Sequence, residues 1–294
     1  MEIDKYLEYG KELLTPAFLR PIALKQWFKR NTGRELHLNP PVTLCDKLNW
    51  IKLYGVTDEM TRLTDKYLVQ DWIKKKIGEK YLIPLLGVYD RFKDIDFAAL
   101  PSKFVLKTNH ASDTNIIVRD KSRFDIKAAE KKVNRWMARD HSFVFGYQMQ
   151  YHKIKRKIII EEYIENSGHV LYDYKFHCFD GKPLCCGDIE RGDGEVRQAF
   201  FDMEWNYLPY RTGTYPTFDE LPPKPKNYEE MVEVATILCK GFPYVRVDLY
   251  HLDDGSIKFG EMTFTPSSGH FTWYPEGTDE ELGKLVTLRS DGAY

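Results

Sequence analysis

The stretch from Tyr244 to Gly269 (YVRVDLYHLDDGSIKFGEMTFTPSSG) constrains the fold more than any other part of this chain. Val245, Val247 and Leu249 alternate with Arg246, Asp248 and Tyr250, the period of two that marks a strand with one face in a core. The LDDG after them predicts a tight turn at Asp254-Gly255, with glycine available for a positive φ. A second strand over 256–264 then runs back beside the first and brings Glu261 toward Asp248, with Arg246 close by. Two acids and an arginine gathered on one sheet surface are costly to desolvate unless an ion binds among them. Oxygen-only donors favour a hard cation, and Mg²⁺ held by one or two carboxylates plus substrate phosphates fits that description. A single Asp…Glu pair on a hairpin is ordinarily a solvated pair of surface charges, so the upstream chain has to decide.

Upstream, 294 residues suffice for a large core in one domain or two to three subdomains. Forty-three basic side chains balance 44 acidic ones, which argues against nucleic acid or an acidic membrane surface as a partner. The five cysteines (45, 178, 185, 186 and 239) show neither zinc-ligand spacing nor a disulfide framework, so a reducing cytoplasm is expected. The N-terminal MEIDKYLEYGKELL has acids where a signal peptide needs basic residues. No apolar run approaches membrane-spanning length.

Helices are expected at 4–14, 21–31 and 44–55, with Thr43 as the cap of the third and Lys47 and Lys52 as solvated face charges. A fourth, 64–77, has Thr64 or Asp65 as its cap and a basic tail that suits a helix C-terminus. The apolar run KFVLKT (103–108) predicts a strand that delivers Lys107 into NHASDTN, after which IIVRD resumes. A lysine leading into a small polar loop between two strands suits a hairpin that wraps phosphates with backbone N–H groups, although this loop contains no glycine. RKIIIEEYIE (156–165) is a buried strand that turns abruptly polar, the form either of a hinge that contacts an adenine edge or of a strand that simply reaches solvent. DYKFHCFDGKPLCC predicts another hairpin with its turn at Asp180-Gly181, and Asp173 and Lys175 share one face of its first strand. Residues 193–227, with five prolines, are expected to form a long functional loop. NYEEMVEVATILCKGF reads as a helix capped by Asn227. The aromatic fraction of 14 % offers material for sugar platforms, with core packing as the ordinary use.

These pieces follow one another in a definite order: Asp65-Lys66, FVLK with Lys107, a small-residue hairpin, IIIEEYI, RVD with Arg246 and Asp248, and GEMTFTP with Glu261. In order and wording they resemble the TupA-like ATP-grasp family, associated with teichuronopeptide and other surface-polysaccharide biosynthesis, over roughly residues 41–283. Each motif is weak alone, and six in order are specific. The resemblance implies an α+β ATP-grasp fold, two subdomains sandwiching ATP behind a short helical N-terminal region. Its divisions would be 1–60 (helical region), 61–160 (lid subdomain with the phosphate loop) and 161–294 (core subdomain with the metal site). It implies a carboxylate–amine ligase that uses ATP and Mg²⁺ and proceeds through an acyl phosphate. Lys66 and Lys107 would meet the ATP phosphates, with Asn109, His110 and Ser112 in the phosphate loop. Glu161, Glu162, Tyr163 and Ile164 would form the adenine hinge, and Asp173 would also serve the nucleotide. Asp248, Glu261 and Thr263 would hold Mg²⁺, and Arg246 and Lys175 would act in catalysis.

The expected substrate is a uronic acid of a surface polysaccharide or its precursor, joined to a small amine, with polysaccharide-assembly proteins as possible contacts. Three other readings remain open on the sequence: an amino-acid or peptide ligase, a hydroxyl-directed phosphotransferase, and a nucleotide- or glycan-binding protein without catalysis.

Overall fold

A computed structural model of the chain describes residues 2–166, 171–190, 197–213 and 215–289. Two antiparallel sheets organise the chain. The smaller has the order β1-β4-β2-β3, built from β1 (Leu85–Tyr89), β2 (Phe104–Thr108), β3 (Asn115–Val118) and β4 (Ile158–Glu162). The larger has six strands in the order β11-β10-β5-β6-β7-β8. These are β5 (Asp173–Phe179), β6 (Lys182–Glu190), β7 (Arg197–Phe201), β8 (Tyr207–Leu208), β10 (Tyr244–His251) and β11 (Ile257–Thr263). A two-stranded ribbon joins β9 (Arg211–Thr212) to β12 (Trp273–Tyr274).

Each sheet has its own core. Phe104, Leu106, Ile158 and Ile160 of the small sheet pack with Phe92, Leu100 and Val133, the last carried on helix α6 (Ile126–Met137). The large sheet buries Val245, Val247 and Leu249 completely, as their alternation predicts. Met231, Val234, Ala235 and Leu238 of α7 (Tyr228–Leu238) lie in the same core. The N-terminal helices belong to it too: Leu24, Trp27 and Phe28 of α2 (Arg20–Thr32), Leu44 and Leu48 of α3 (Leu44–Trp50), Met60 and Leu63 of α4 (Asp58–Thr64), and Val69 and Ile73 of α5 (Leu68–Lys76). This core is therefore continuous across residue 61. Helix α1 (Glu2–Leu14) precedes them, and α8 (Thr278–Lys284) packs on α3. No helix among the described residues is long and apolar enough to cross a membrane, and all five cysteines are buried and none is in a disulfide.

Four local departures from the sequence expectation have physical causes. Helix 64–77 is split: α4 ends at Thr64, and Asp65 accepts from the N–H groups of Tyr67 and Leu68 to start α5. Lys66 therefore sits in the break between two helices. Thr43 does cap α3, in a reciprocal box with Asp46, but the chain then widens into a π-helical turn over Ile51–Gly55. The wider turn shifts the side chains of that segment around the helix axis. Lys52, expected in solvent, is fully buried there. Asn227 bonds Gly255 O at 2.6 Å and makes no side-chain cap on α7. The stretch 193–227 holds strands β7 to β9, and its residues 193–196 and 214 lie outside the described residues. Most aromatics there serve packing, as in the Phe201–Trp205 stack at 4.0 Å.

Candidate active site

Strand register builds the site. On β10, Asp248 lies opposite Glu261 of β11 on one side and Lys175 of β5 on the other. Two residues along the strand, Arg246 lies between Thr263 and His177, and Tyr250 lies opposite Asp173. A bulge after Asp248 leaves Gly260 without a register partner. A Cβ at Gly260 would meet Asp248 O at 3.1 Å, a tight contact, so the close approach that carries Glu261 to Asp248 favours a residue without one.

The charges on this face are interlocked. Arg246 grips Asp248 with two parallel bonds, Nε to Oδ1 at 2.7 Å and Nη2 to Oδ2 at 2.6 Å, the fork geometry in which arginine binds carboxylates best. Lys175 Nζ donates to Asp248 Oδ2 at 2.6 Å and also pairs with Asp173. Arg246 Nη2 reaches Glu261 Oε1 and Thr263 Oγ1, each at 3.3 Å, and Thr263 donates to Glu261 at 2.8 Å. Burial works against the Arg246 charge, but Asp248 and Glu261 more than offset it and raise its pKa. Burial also pushes Glu261 up, yet Lys66, Arg246 and Lys175 outweigh it and hold this carboxyl well below the usual range. Asp173 goes the other way: burial, reinforced by Asp248, raises it against the pull of Lys175.

The two expected phosphate lysines come from different elements. Lys66 Nζ donates to Ala111 O at 2.7 Å and lies 3.5 Å from Glu261 Oε2, so it links the loop after β2 to the large sheet. Lys107 pairs with Glu161 of β4 at 2.5 Å, across adjacent strands. Glu161 is buried, Glu162 is exposed, and Tyr163 and Ile164 come after the end of β4, half-buried. Arg119 Nε donates to Tyr163 Oη at 3.3 Å. Asn109 is wholly buried: its amide donates to Asp65 and Lys155 O, and its carbonyl accepts from Lys157 N. It thus ties the base of the loop to the start of α5. His110 is buried beside it, with burial and then Arg156 pushing its pKa down to about 4.

A family model described as TupA-like ATPgrasp matches residues 46–287. The chain belongs to this family. No curated protein matches it. Among solved structures it is similar to a D-alanine–D-alanine ligase from Bacillus anthracis complexed with ATP, at 19% identity over 69% of this chain and 55% of that one, with a TM-score of 0.43. It is also similar to the ATP-grasp ligase PsnB complexed with a minimal precursor (11% identity, 81% and 61% covered, TM-score 0.40). A third is the N5-carboxyaminoimidazole synthetase of Staphylococcus aureus (12% identity, 78% and 53% covered, TM-score 0.42). The chain spans a little over half the length of these structures.

In this TupA-like ATP-grasp chain a segment with no legible period walls the site. From His141 to Tyr151 it runs HSFVFGYQMQY and bonds to residues far away in sequence. His141 Nε2 meets Ser112 of the loop between β2 and β3, at 3.4 Å from its N and 3.2 Å from its Oγ. Gln148 and Gln150 both bond Thr265 Oγ1, at 3.0 and 2.5 Å, and Phe145 O accepts from Ser268 Oγ. Lys52 supports the same turn from below, donating to Ser268 O at 2.9 Å and Oγ at 3.1 Å. That turn, Pro266–Gly269, carries Ser267, Ser268 and Gly269 in the left-handed region. Non-glycine residues there are strained and held in place by their surroundings. Its position directly after the Glu261 strand was the one available sequence clue.

The donor set for a cation is oxygen only. Asp248 and Glu261 face each other in register, Thr263 adds a hydroxyl, and Glu261 Oε2 lies 3.5 Å from Lys66 Nζ. Among the described residues no group of three or more His, Cys, Asp or Glu side chains is placed to hold a metal. Two carboxylates therefore suit Mg²⁺ that takes its remaining ligands from phosphate and water, the usual sharing for this ion.

Proposed function

We propose that this protein is an ATP-dependent carboxylate–amine ligase whose carboxylate substrate is a uronic acid of a surface polysaccharide or its precursor. The observation that carries the ligase reading is the row Asp173, Lys175, Asp248, Arg246, Glu261 and Thr263 on three adjacent strands, with Lys66 reaching it from the break between α4 and α5. Phosphoryl transfer asks mainly for charge neutralisation and positioning, and a row of fixed acids and cations provides both. A substrate carboxylate oxygen attacks the γ-phosphorus of ATP, the bond to the β–γ bridging oxygen breaks, and ADP leaves. The amine nitrogen then attacks the acyl carbon, the carbon–oxygen bond to phosphate breaks, and the nitrogen gives up a proton. Asp248, Glu261 and Thr263 would hold Mg²⁺, which when bound would supply charge neutralisation at the nucleotide phosphates. Lys66 and Lys107 bind the phosphates. Arg246, its orientation set by the two bonds to Asp248, stabilises the oxyanion, and Lys175 holds Asp248 in place. The sugar-acid substrate rests on the association of the TupA-like resemblance with surface-polysaccharide biosynthesis.

The test is ADP release with carboxylate sugars crossed against small amines, with hydroxylamine added in a parallel set. ADP release that depends on a uronic acid, and a hydroxamate formed from it, are expected. Release triggered only by free amino acids would overturn the sugar-acid substrate. ADP release without any hydroxamate would overturn the acyl phosphate.

A further inference from the structure

Resting on the ATP-ligase reading, a further assignment concerns a residue outside the row of charges. The loop between β2 and β3, Asn109 to Thr114, has to turn tightly without glycine, and Asp113 takes a φ of 54° to do so. A loop of this composition needs external ties to keep one shape. Thr108 and Thr114 close its neck through their hydroxyls at 2.7 Å and through Thr108 N to Thr114 O at 3.1 Å. Lys66 N bonds Asn109 O at 3.1 Å, and Lys66 Nζ bonds Ala111 O. A further tie, at the apex of the turn, comes from His141.

We propose that His141 is a positioning residue for the nucleotide phosphates: its Nε2 takes both donors of Ser112 and so sets the apex of the phosphate loop beside Lys66. Accepting from the Ser112 N–H assigns Nε2 as the unprotonated nitrogen, whose single lone pair the Ser112 hydroxyl then shares. His141 is buried, and its ring lies edge-on to Tyr151 at 4.7 Å and to Phe145 at 6.1 Å. Burial, with Lys66 and His110 adding repulsion, pushes its pKa down to about 3, which keeps the ring neutral. Two aromatic neighbours fix the ring, and the ring fixes Ser112. The 141–151 segment that carries it is anchored in turn by Glu12, which accepts from Gly146 N at 3.0 Å, and by Thr265. The phosphate loop thus receives from a distant segment the definition that glycines and their own backbone bonds would otherwise supply.

Binding of MgATP, MgADP and AMP to wild type, His141→Phe and His141→Gln, measured by calorimetry, tests this. Phenylalanine keeps the ring packing and removes the acceptor, whereas glutamine keeps an acceptor at similar reach. His141→Phe is expected to weaken MgATP and MgADP about tenfold, the scale of one lost hydrogen-bonding group with a donor left unpaired, and to leave AMP within twofold. His141→Gln is expected to recover most of the loss. Equal weakening of all three nucleotides, or no weakening in a folded His141→Phe, overturns the assignment while leaving the ATP reading intact. Wild-type protein that binds no nucleotide overturns both. Should His141→Phe fail to fold, Ser112→Ala serves, which removes one of the two donors and is expected to weaken MgATP about threefold with AMP unchanged. Parallel loss of AMP in that variant also overturns the assignment.

Discussion

Lys175 Nζ sits 2.6 Å from Asp248 Oδ2 on the neighbouring strand and holds Asp173 of its own strand with the same ammonium group. One cation thus serves two buried acids, and Asp173 Oδ1 has no protein partner at all among the described residues. Removing one member of a buried ionic group leaves the others uncompensated, which costs roughly 3–5 kcal/mol. Lys175→Met is expected to lower stability by about 3 kcal/mol in urea at neutral pH, with the denaturant slope unchanged. Adding Asp173→Asn to that variant is expected to restore part of the loss, because the two sites are in contact and do not add. A Lys175→Met protein as stable as wild type would show that the pair is solvated.

Arg246 contributes direction as well as charge. Its two bonds to Asp248 fix the guanidinium plane, and Nη2 extends on to Glu261 and Thr263. Lysine keeps the charge but lacks the fork. Arg246→Lys is therefore expected to reduce kcat about a hundredfold, the scale of a lost oxyanion contact, with MgATP binding within threefold of wild type. ADP release and nucleotide calorimetry on the same preparation check this. A fall in binding that matches the fall in kcat would place Arg246 on the nucleotide ground state instead.

How much of this was legible in the sequence depended on where each residue's partners lie. Asp248 and Glu261 are joined by a turn of a few residues, so alternation and LDDG were enough to pair them. Lys52 was misplaced because a π-helical turn leaves no mark in hydrophobic period, and its partner Ser268 is over two hundred residues away. His141, Gln148 and Gln150 escaped notice for the same reason: their bonds reach Ser112 and Thr265, and their segment repeats no pattern. Asn109 looked like a ligand-facing loop residue, yet its polar atoms are used within the protein at the foot of the loop.

The proposed metal role of the two carboxylates implies a metal dependence. Nucleotide phosphates approaching Asp248 and Glu261 without a cation between them would meet like charge. Thermal stabilisation by ATP is expected to need Mg²⁺ and to be lost in EDTA, whereas a hundredfold excess of MgATP over its Kd should stabilise by about 2.7 kcal/mol. Glu261→Gln is expected to retain the fold and lose most of that Mg²⁺-dependent increment. An equal ATP shift in EDTA and in Mg²⁺ would remove Asp248 and Glu261 from the metal site.

Glu12 of α1 gives the clearest pH signature outside the site. Its carboxylate accepts from Gly146 N at 3.0 Å with each oxygen and from Tyr147 N at 3.4 Å. Burial nevertheless raises its pKa to about 7 from 4.5, against the pull of those bonds and of Lys52. A carboxyl whose folded pKa lies above its unfolded one binds its proton more tightly when folded. Its contribution is then most favourable below about 4.5 and is lost as pH rises toward 7. A rise of this size corresponds to about 3 kcal/mol. Lys52 behaves in the complementary sense: burial lowers it to about 7, so its penalty stands below that pH and fades as pH climbs toward 10.5. Glu12→Gln removes the first of these and takes from Lys52 the charge that partly offsets its burial. Its stability relative to wild type is expected to rise between about pH 4.5 and 7 and to stay level above, as read from urea unfolding at half-unit pH steps. A difference that stays flat across that window would mean that the Glu12 carboxylate ionises in the folded protein as it does in the unfolded chain.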